Sequence, residues 1–548
     1  DVVGAADGLV AETQVADGHA AGLLGVVLEV GLDVLVGVVT ADLDGVLVRT
    51  DGTVAAETPE LALDGALGCG GRAALVFGQG EVRHVIDDAY GELTLGLRLG
   101  KLGVNSEHGS GRGVLGTETV TAADDGLVGD AGVGQRGDDV EIEGLALCAG
   151  PPGAVEDRNL LGGEYYMYPF DEVRITPAPK GYKPVYISHI GRHGARYALG
   201  DGVYEAVRKV LSDAHAAGKR TEAGEDLFVR YERFYPSVAN RGGDLTKEGQ
   251  KQLRLIASTM HREFPEVFKG KTRADVLSTA VPRVMLSMMS FLDELKGLDG
   301  DLTYSVDAGR AYLPVLEPDG GQNPFRVKTL IPADAKASSA AMHAALIDSK
   351  AFCSRYFNDI DYLESTSGTW KFESDLRTVV VGLQCLDSEP SDDFSDIFTF
   401  DELFGIWEVR NYNGYLYMGR SPLTDNSGCT KNAAILENMI EEADSDLASG
   451  GIQLRLRFSH DTAILPLVSS MRLDYFGAVV DYPKEVRNYW RSDKGPMAAN
   501  LQLIFYRSKR TPEILVKVLY NGHEASLPIP RVAPSFYSWT AFKDYYRN

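Results

Sequence analysis

Hydrophobic and polar residues alternate with the period of a helix in several segments after about residue 164. Apolar side chains recur at every third or fourth position in 202–218 and 245–264, which predicts helices with one buried face. Thr246 suits the N-cap of the second helix. A third helix is predicted at 281–295, because Pro282 is well placed in its first turn.

Short β-rich apolar runs alternate with these helices, and they predict strands. The first three are predicted at 184–190, where Gly191 begins a turn, at 274–280, and at 452–460, which leads into 461–471. The segments "NLQLIFYR" and "EILVKVLY" near the C-terminus predict a final strand pair.

Strands that alternate with helices predict an α/β fold with a layered core sheet and flanking helices. The core is expected to come from about 180–210, 271–300 and 450–548. Residues 300–450 mix short helices and loops, so this stretch is predicted to be a largely helical inserted domain.

Residues 1–160 differ in composition from the rest of the chain. They hold 31 of the 60 glycines, only two aromatic residues and a net charge of −19. Few side chains are therefore available to fill a core, and self-repulsion opposes compaction. We expect an anomalous Gly-rich acidic segment, disordered or a translated artefact rather than a regular domain, followed by one folded domain at 164–548. A genuine Gly-rich acidic domain is the alternative.

The charge balance argues against nucleic acid as a partner. The chain carries a net charge of −24, of which −19 falls in residues 1–160, leaving −5 for the remainder. Binding to a phosphate backbone needs a basic surface, whereas a nearly neutral remainder can still contain a local basic pocket.

No signal peptide is visible at Asp1. A membrane span is not predicted, because the most apolar stretch, 21–40, contains Glu29 and Asp33.

Two further patterns carry little weight. The segment "GVGQRG" (132–137) fits the glycine spacing of dinucleotide-binding proteins, but no β-rich strand precedes it and glycine is abundant there. The five cysteines have no C-x-x-C spacing, so neither a zinc site nor a redox pair is indicated. At most one disulfide is expected among the last three cysteines, Cys353, Cys385 and Cys429.

The candidate chemistry lies at the ends of three predicted strands. In open α/β sheets ligands bind at the carboxyl ends of strands, so residues that follow different strands can converge there. The candidate residues, in chain order, are Arg192, His193, Arg196, Arg283, His460 and Asp461.

These residue types suit phosphoryl transfer. Guanidinium groups present forked donors that match the oxygens of a phosphate. A histidine nitrogen can attack phosphorus and form a phosphohistidine, which divides hydrolysis into two easier steps. A neighbouring carboxylic acid can protonate the leaving alkoxide, an effect of about 10²–10⁴ in rate. Gly194 is expected to leave room for the substrate. Because arginines take the charge-neutralising role, no metal or other cofactor is predicted.

This set resembles the histidine acid phosphatase family, the second branch of the histidine phosphatase superfamily. The resemblance spans about 164–548 and rests on R-H-G-x-R at 192–196, the arginine at 283 and H-D at 460–461; "LTKEG" (245–249) also resembles a segment of that family. It implies the histidine phosphatase fold and a periplasmic or secreted location. It also implies His193 as the nucleophile, Asp461 as the proton donor, and as phosphate ligands Arg192, Arg196, Arg283 and His460.

The substrate is less closely defined than the reaction. Tyr197 and the stretch 168–197 resemble the multiple inositol polyphosphate phosphatases of gut bacteria, so inositol polyphosphates such as phytate are expected. The His-Asp-Thr sequence at 460–462 is closer to bacterial phytases and glucose-1-phosphatases. A broad-specificity acid phosphatase or sugar-phosphate phosphatase is therefore the alternative. A phosphoester-binding protein with an inactive site is the non-enzymatic alternative, against which the intact His193 and Asp461 speak.

Overall fold

The computed structural model describes residues 155–170, 173–320, 323, 326, 329–387 and 392–547, together with short strands among residues 1–154. The chain divides into two compact units, Asp1–Ala154 and Val155–Asn548. Most of residues 1–160 and all of the segment 132–137 lie outside the described residues. The prediction for 1–160 therefore stays a prediction.

In the first unit, the described strands pair antiparallel into a four-stranded and a five-stranded sheet. They are β1 (Val10–Ala11), β2 (Leu24–Leu28), β3 (Val46–Arg49), β4 (Val54–Ala56), β5 (Arg72–Gly78), β6 (Glu81–Asp88), β7 (Gly91–Arg98), β8 (Arg112–Val114) and β9 (Thr121–Ala122).

A nine-stranded sheet forms the centre of the second unit. Its strands are β10 (Tyr182–Arg192), β11 (Arg273–Ser278), β12 (Thr303–Ala308), β13 (Leu454–Ser459), β14 (Asn500–Ser508), β15 (Leu515–Tyr520), β16 (His523–Glu524), β17 (Arg531–Ala533) and β18 (Phe536–Ser538). The order is β12-β11-β13-β10-β14-β15-β18-β17, and β16 pairs with β15. Strands β12, β11, β13 and β10 are parallel, whereas β14 and β15 are antiparallel.

The register places the carboxyl ends of the parallel strands side by side. Arg192 at the end of β10 lies opposite Ser459 at the end of β13. Ser278 at the end of β11 lies opposite Phe458 of β13. The side chains that follow these three strands therefore emerge at the same edge of the sheet.

Fourteen α-helices are described in the second unit. They are α1 (Asp201–Ala216), α2 (Glu222–Phe234), α3 (Lys247–Glu263), α4 (Pro282–Leu298), α5 (Leu313–Leu316), α6 (Ala333–Leu346), α7 (Ser349–Ser354), α8 (Ile360–Thr366), α9 (Thr369–Gly382), α10 (Phe400–Met418), α11 (Ser427–Thr430), α12 (Ala433–Ser449), α13 (Asp461–Ser470) and α14 (Trp539–Arg547). No described helix is long and apolar enough to cross a membrane.

The two faces of the sheet are covered by different helices. On one face, Leu501 and Leu503 of β14 pack in a cluster with α10, α12, α13 and α14. On the other face, Ile504 of the same strand packs with α3 and α4. Because successive residues of a strand point to opposite faces, β14 is buried on both sides, and the core is a three-layered α/β structure.

A third hydrophobic cluster is formed mostly by helices. It joins Tyr204 of α1 and Tyr231 of α2 to Phe372 and Leu376 of α9. Helices therefore pack together beside the α/β core, and they include α1 and α2, which lie before residue 300. A separate inserted domain at 300–450 stays a prediction.

Most predicted elements are confirmed, and two strands differ. The strand predicted to end before Gly191 continues through Gly191 to Arg192, because both residues pair with β13. Strand β12 was not predicted, since it lies at the sheet edge with mostly exposed side chains and lacks a buried apolar face. Cys353, Cys385 and Cys429 are buried and free, so no disulfide joins them.

Candidate active site

The loop after β10 is fixed by main-chain hydrogen bonds to both neighbouring strands. The N–H of His193 donates to the carbonyl of Ser459 at the end of β13 at 3.0 Å. The N–H of Arg192 donates to the carbonyl of Ala499 at 2.7 Å, and the N–H of Ala498 donates to the carbonyl of His193 at 2.9 Å. The backbone that carries these two side chains therefore has little freedom to move.

Gly194 is required by packing against another glycine. A Cβ atom at Gly194 would lie 2.3 Å from the carbonyl oxygen of Gly249 in the first turn of α3. A Cβ at Gly249 would in turn lie 2.3 Å from the carbonyl oxygen of Ala195. The expectation that Gly194 leaves room for the substrate is therefore corrected, because the close neighbour is the backbone of α3.

The segment "LTKEG" joins this loop to α3. Thr246 accepts a hydrogen bond from the N–H of Gly249 at 3.1 Å, which confirms it as the N-cap. Its hydroxyl and N–H both donate to the carbonyl of Ala195, at 3.0 and 2.9 Å. Gln252 accepts from the N–H of Ala195 at 2.8 Å. The N-terminus of α3 is thus fastened to the loop that carries the candidate nucleophile.

Arg192 is completely buried and held by three acceptors. Its Nη1 donates to the carbonyls of Glu164 and Gly495, at 2.7 and 2.9 Å. Its Nη2 lies 3.2 Å from Oδ2 of Asp461. These contacts fix the direction of the guanidinium group and leave its Nε buried without a partner among the described residues.

Arg196 is held by an aromatic residue, Tyr165. Its guanidinium lies 4.9 Å from the centre of the Tyr165 ring, and its Nη1 donates to the Tyr165 hydroxyl at 3.3 Å. Arg283 follows Pro282 at the start of α4. The Nε atoms of Arg196 and Arg283 are also buried without partners among the described residues. Buried guanidinium donors of this kind suit an anion with several oxygens.

His193 is neutral, and its proton lies on Nδ1. Its Nδ1 lies 2.9 Å from the carbonyl of Gly194. A carbonyl can only accept, so Nδ1 carries the proton and Nε2 holds the lone pair. Burial lowers the pKa of His193 well below its ordinary value, and the neighbouring arginines Arg192, Arg196 and Arg283 lower it further.

His460 lies beside His193. Its ring centre lies 5.6 Å from that of His193, edge to face. Its Nε2 lies 3.2 Å from Oγ1 of Thr279, which follows β11, and 3.6 Å from Oε2 of Glu317. Burial and then Arg283 lower the pKa of His460 to about 4.

Asp461 occupies the first turn of α13 and faces Arg192. Burial opposes ionisation of the carboxyl, but Arg192, Arg196 and His460 outweigh it and hold the pKa of Asp461 below its ordinary value. In the free protein this side chain is therefore a carboxylate paired with Arg192.

All six residues predicted from sequence are thus brought together, and the structure adds three that were missed. Glu164 and Tyr165 precede β10 and contact Arg192 and Arg196. Glu317 follows α5, and its position could not be inferred because β12, the strand before it, was not predicted. Within the described residues, no group of three or more His, Cys, Asp or Glu side chains is arranged to hold a metal ion.

Known proteins share the sequence pattern and the fold of this chain. The sequence pattern of the histidine phosphatase superfamily (branch 2) matches residues 187–521, more than half of the chain. The solved multiple inositol polyphosphate phosphatase of Bifidobacterium longum in complex with inositol hexasulfate has a TM-score of 0.58 and 18% identity, covering 71% of this chain and 97% of that chain. Its complex with phosphate has a TM-score of 0.58 and 20% identity, with the same coverage.

The phytase from D. castellii is also similar. It has a TM-score of 0.52 and 17% identity, covering 71% of this chain and 84% of that chain. At these identities the solved structures show the fold alone. No curated protein matches the chain significantly.

Proposed function

The chain belongs to branch 2 of the histidine phosphatase superfamily, and we propose that it hydrolyses phosphomonoesters through a phosphohistidine on His193. The observation that carries this proposal is a buried neutral histidine whose Nδ1–H is bound to Gly194 and whose surroundings contain three guanidinium groups. This arrangement supports attack by Nε2 on a phosphate that the arginines hold.

In the first step, the phosphate oxygens are bound by the three arginines and His460. Nε2 of His193 forms a bond to phosphorus as the bond from phosphorus to the ester oxygen breaks. The leaving oxygen takes the proton of Asp461. In the second step Asp461 takes a proton from water, the water oxygen attacks the phosphohistidine, and inorganic phosphate and neutral His193 are released.

The ion pair of Asp461 with Arg192 has a consequence for this mechanism. Asp461 is ionised in the free protein, so the proton it delivers must arrive with the substrate or be taken up on binding. A phosphate monoanion that transfers its proton to Asp461 gives the same protonation state as a dianion beside a neutral acid. Activity is therefore expected to be highest at mildly acidic pH and to fall as the pH rises.

We propose inositol polyphosphates such as phytate as the substrate class. The resemblance around Tyr197 and the names of the similar structures support this class. Two further arginines, Arg410 and Arg377, act on Glu164, whose carbonyl binds Arg192. Arg410 pairs with Glu164 at 2.9 Å. Burial and the charge of Asp461 raise the pKa of Glu164. Arg410 and Arg377 outweigh them and hold this pKa below its ordinary value.

The alternatives are separated by one assay. The full chain is incubated with phytate, a sugar phosphate and p-nitrophenyl phosphate, with and without EDTA, and with vanadate. We expect phytate to be preferred, EDTA to have no effect, and vanadate to inhibit. A preference for sugar phosphates or uniform rates would favour the alternative substrates. Phosphate binding without turnover would identify a binding protein, and loss in EDTA that added metal restores would contradict the metal-free mechanism.

We also propose a periplasmic or secreted location, which the family resemblance supports. Fractionation of native cells with an antibody against residues 155–548 tests it. Recovery of the protein with cytoplasmic markers would contradict the proposal.

A further inference from the structure

Glu317 is a second carboxyl group at the candidate active site, and its position is built into the fold. The carbonyl of Leu316, which precedes it, accepts a hydrogen bond from the hydroxyl of Ser459 at the end of β13. A Cβ atom at Gly320 would lie 2.5 Å from Oε2 of Glu317, so a larger residue there would displace this carboxyl. The side chain is 18% exposed.

The carboxyl faces the same nitrogen of His460 as Thr279 does. Oε2 of Glu317 lies 3.6 Å from Nε2 of His460, and Oγ1 of Thr279 lies 3.2 Å from it. Nδ1 is therefore the nitrogen of His460 that remains for a phosphate oxygen. Which nitrogen of a neutral histidine carries the proton is set by the partner of the other.

The charge of the Glu317 carboxyl determines which nitrogen of His460 carries the proton. An ionised Glu317 attracts a proton to Nε2, which leaves Nδ1 as an acceptor that cannot bind a phosphate oxygen. A protonated Glu317 carries no charge to attract that proton, so the hydroxyl of Thr279, at 3.2 Å, can donate to Nε2 and the proton stays on Nδ1 as a donor. The ionised form also places a negative charge beside a site for anions, within the field of Arg283.

From this geometry we propose that Glu317 is a positioning residue that sets the upper pH limit of phosphate binding, by directing the proton of His460 and by its own charge. The inference rests on the proposed function of the site. The charged and titratable groups that act on Glu317 are His460, Asp461, Arg283, Asp319 and Arg326.

The electrostatic surroundings place the change near neutral pH. Burial and then Asp461 raise the pKa of Glu317 to about 7, although Arg283 opposes them. Below this pH the carboxyl is neutral. One pH unit above it about one-tenth of the molecules keep the proton, so phosphate binding falls about tenfold between the acidic range and pH 8.

Three variants of the full chain test the inference with p-nitrophenyl phosphate, whose leaving group needs little assistance from Asp461. Glu317→Gln and Glu317→Ala both remove the charge. If one of them does not fold, the other still tests the inference. The ratio of kcat/KM at pH 5 to kcat/KM at pH 8 is expected to fall about tenfold in both. A ratio equal to that of the unaltered protein would overturn the inference.

Asp319→Asn is the matched control. Asp319 lies in the same loop, but it is paired with Lys431 at 2.6 Å and Arg326 at 3.0 Å and does not contact His460. Asp319 contributes to the raised pKa of Glu317. Removing its charge should leave the ratio unchanged or increase it. A tenfold decrease in this variant would show a general effect of charge and overturn the assignment to Glu317.

Binding of inorganic phosphate separates this inference from the proposed function, because it needs no turnover. Calorimetry at pH 5.5 and pH 8 compares each variant with the unaltered protein, so the titration of phosphate itself cancels. Both Glu317 variants should bind phosphate about tenfold more tightly at pH 8 than the unaltered protein. This result in a chain without hydrolytic activity would support the inference and overturn the proposed function. Equal binding would overturn the inference.

Discussion

At the scale of single residues, burial keeps His193 unprotonated. An exposed histidine beside a carboxylate would gain a proton in the acidic range, in which phosphate esters are monoanions. Burial and three guanidinium groups prevent this, because they lower the pKa of His193 well below its ordinary value. The nucleophile can therefore remain unprotonated under conditions in which an acid is also available.

His193→Ala should abolish hydrolysis, because no other group can accept the phosphoryl group at that position. Brief incubation of the unaltered chain with labelled phosphomonoester, followed by quenching, should give an adduct on His193 that is stable to alkali and labile to acid. His215→Ala is the control, since His215 lies half-exposed on α1 and should leave the rate unchanged. Turnover near the normal rate in His193→Ala would refute the mechanism.

Asp461→Asn should separate substrates by their leaving groups. A general acid contributes about 10²–10⁴ in rate when the leaving oxygen is a poor leaving group. Hydrolysis of inositol or sugar phosphates should fall by about that factor, whereas hydrolysis of p-nitrophenyl phosphate should fall much less. The measurement is kcat for both substrate types. Equal losses would mean that Asp461 only holds Arg192.

The sequence allowed the six candidate residues to be predicted, because each follows a recognisable strand or begins a recognisable helix. Glu317 could not be found in this way. It follows a strand with exposed side chains and a four-residue helix, and neither leaves a periodic pattern. Glu164 acts on Arg192 through its carbonyl, and a main-chain contact leaves no signal in residue type.

At the scale of secondary-structure elements, the contact of α3 with the loop after β10 gives the site its precision. Two glycines allow backbone to approach backbone, and Thr246 adds hydrogen bonds across the same contact. The helix pattern of 245–264 predicted α3 and its N-cap. It could not predict what the helix packs against, because that depends on a partner about 50 residues earlier in the chain.

Gly194→Ala should destabilise the protein, since its Cβ would meet the Gly249 carbonyl at 2.3 Å and main chain cannot rotate away as a side chain can. Overpacking costs about 1–3 kcal/mol, and the displaced loop should also lower kcat. Gly202→Ala is the matched control. A Cβ there meets nothing within 4 Å and lies in the first turn of α1, so stability should be unchanged or slightly higher. Urea unfolding measures the stability of both variants. Equal stabilities would contradict the packing argument.

At the scale of the whole molecule, the groups that form the site and the three hydrophobic clusters all lie in the unit Val155–Asn548. The domain boundary that the change in composition near residue 160 predicted stays a prediction. The α/β class could also be predicted, because the buried strands and helices have clear periods. The order of the strands could not, because it depends on pairings between distant segments.

Deleting residues 1–154 should leave activity and thermal stability unchanged, because that unit has few aromatic side chains to anchor an interface. A deletion extended to residue 166 is the control. It also removes Glu164 and Tyr165, which contact Arg192 and Arg196, and should lower both quantities. Thermal melting and kcat with phytate are the measurements. A loss of folding in the shorter deletion would show that 1–154 is a needed domain.

The hydrogen bonds of Arg192 also determine when the site can form. Its guanidinium meets Asp461 and Gly495, which lie 269 and 303 positions later in the chain. Strand β10 is flanked by β13 and β14, both from the last fifth of the sequence. Contacts of such long sequence separation form slowly. During synthesis Arg192 can therefore form these contacts only after nearly the whole polypeptide has been made. Recovery of enzymatic activity during refolding would report the final stage of assembly.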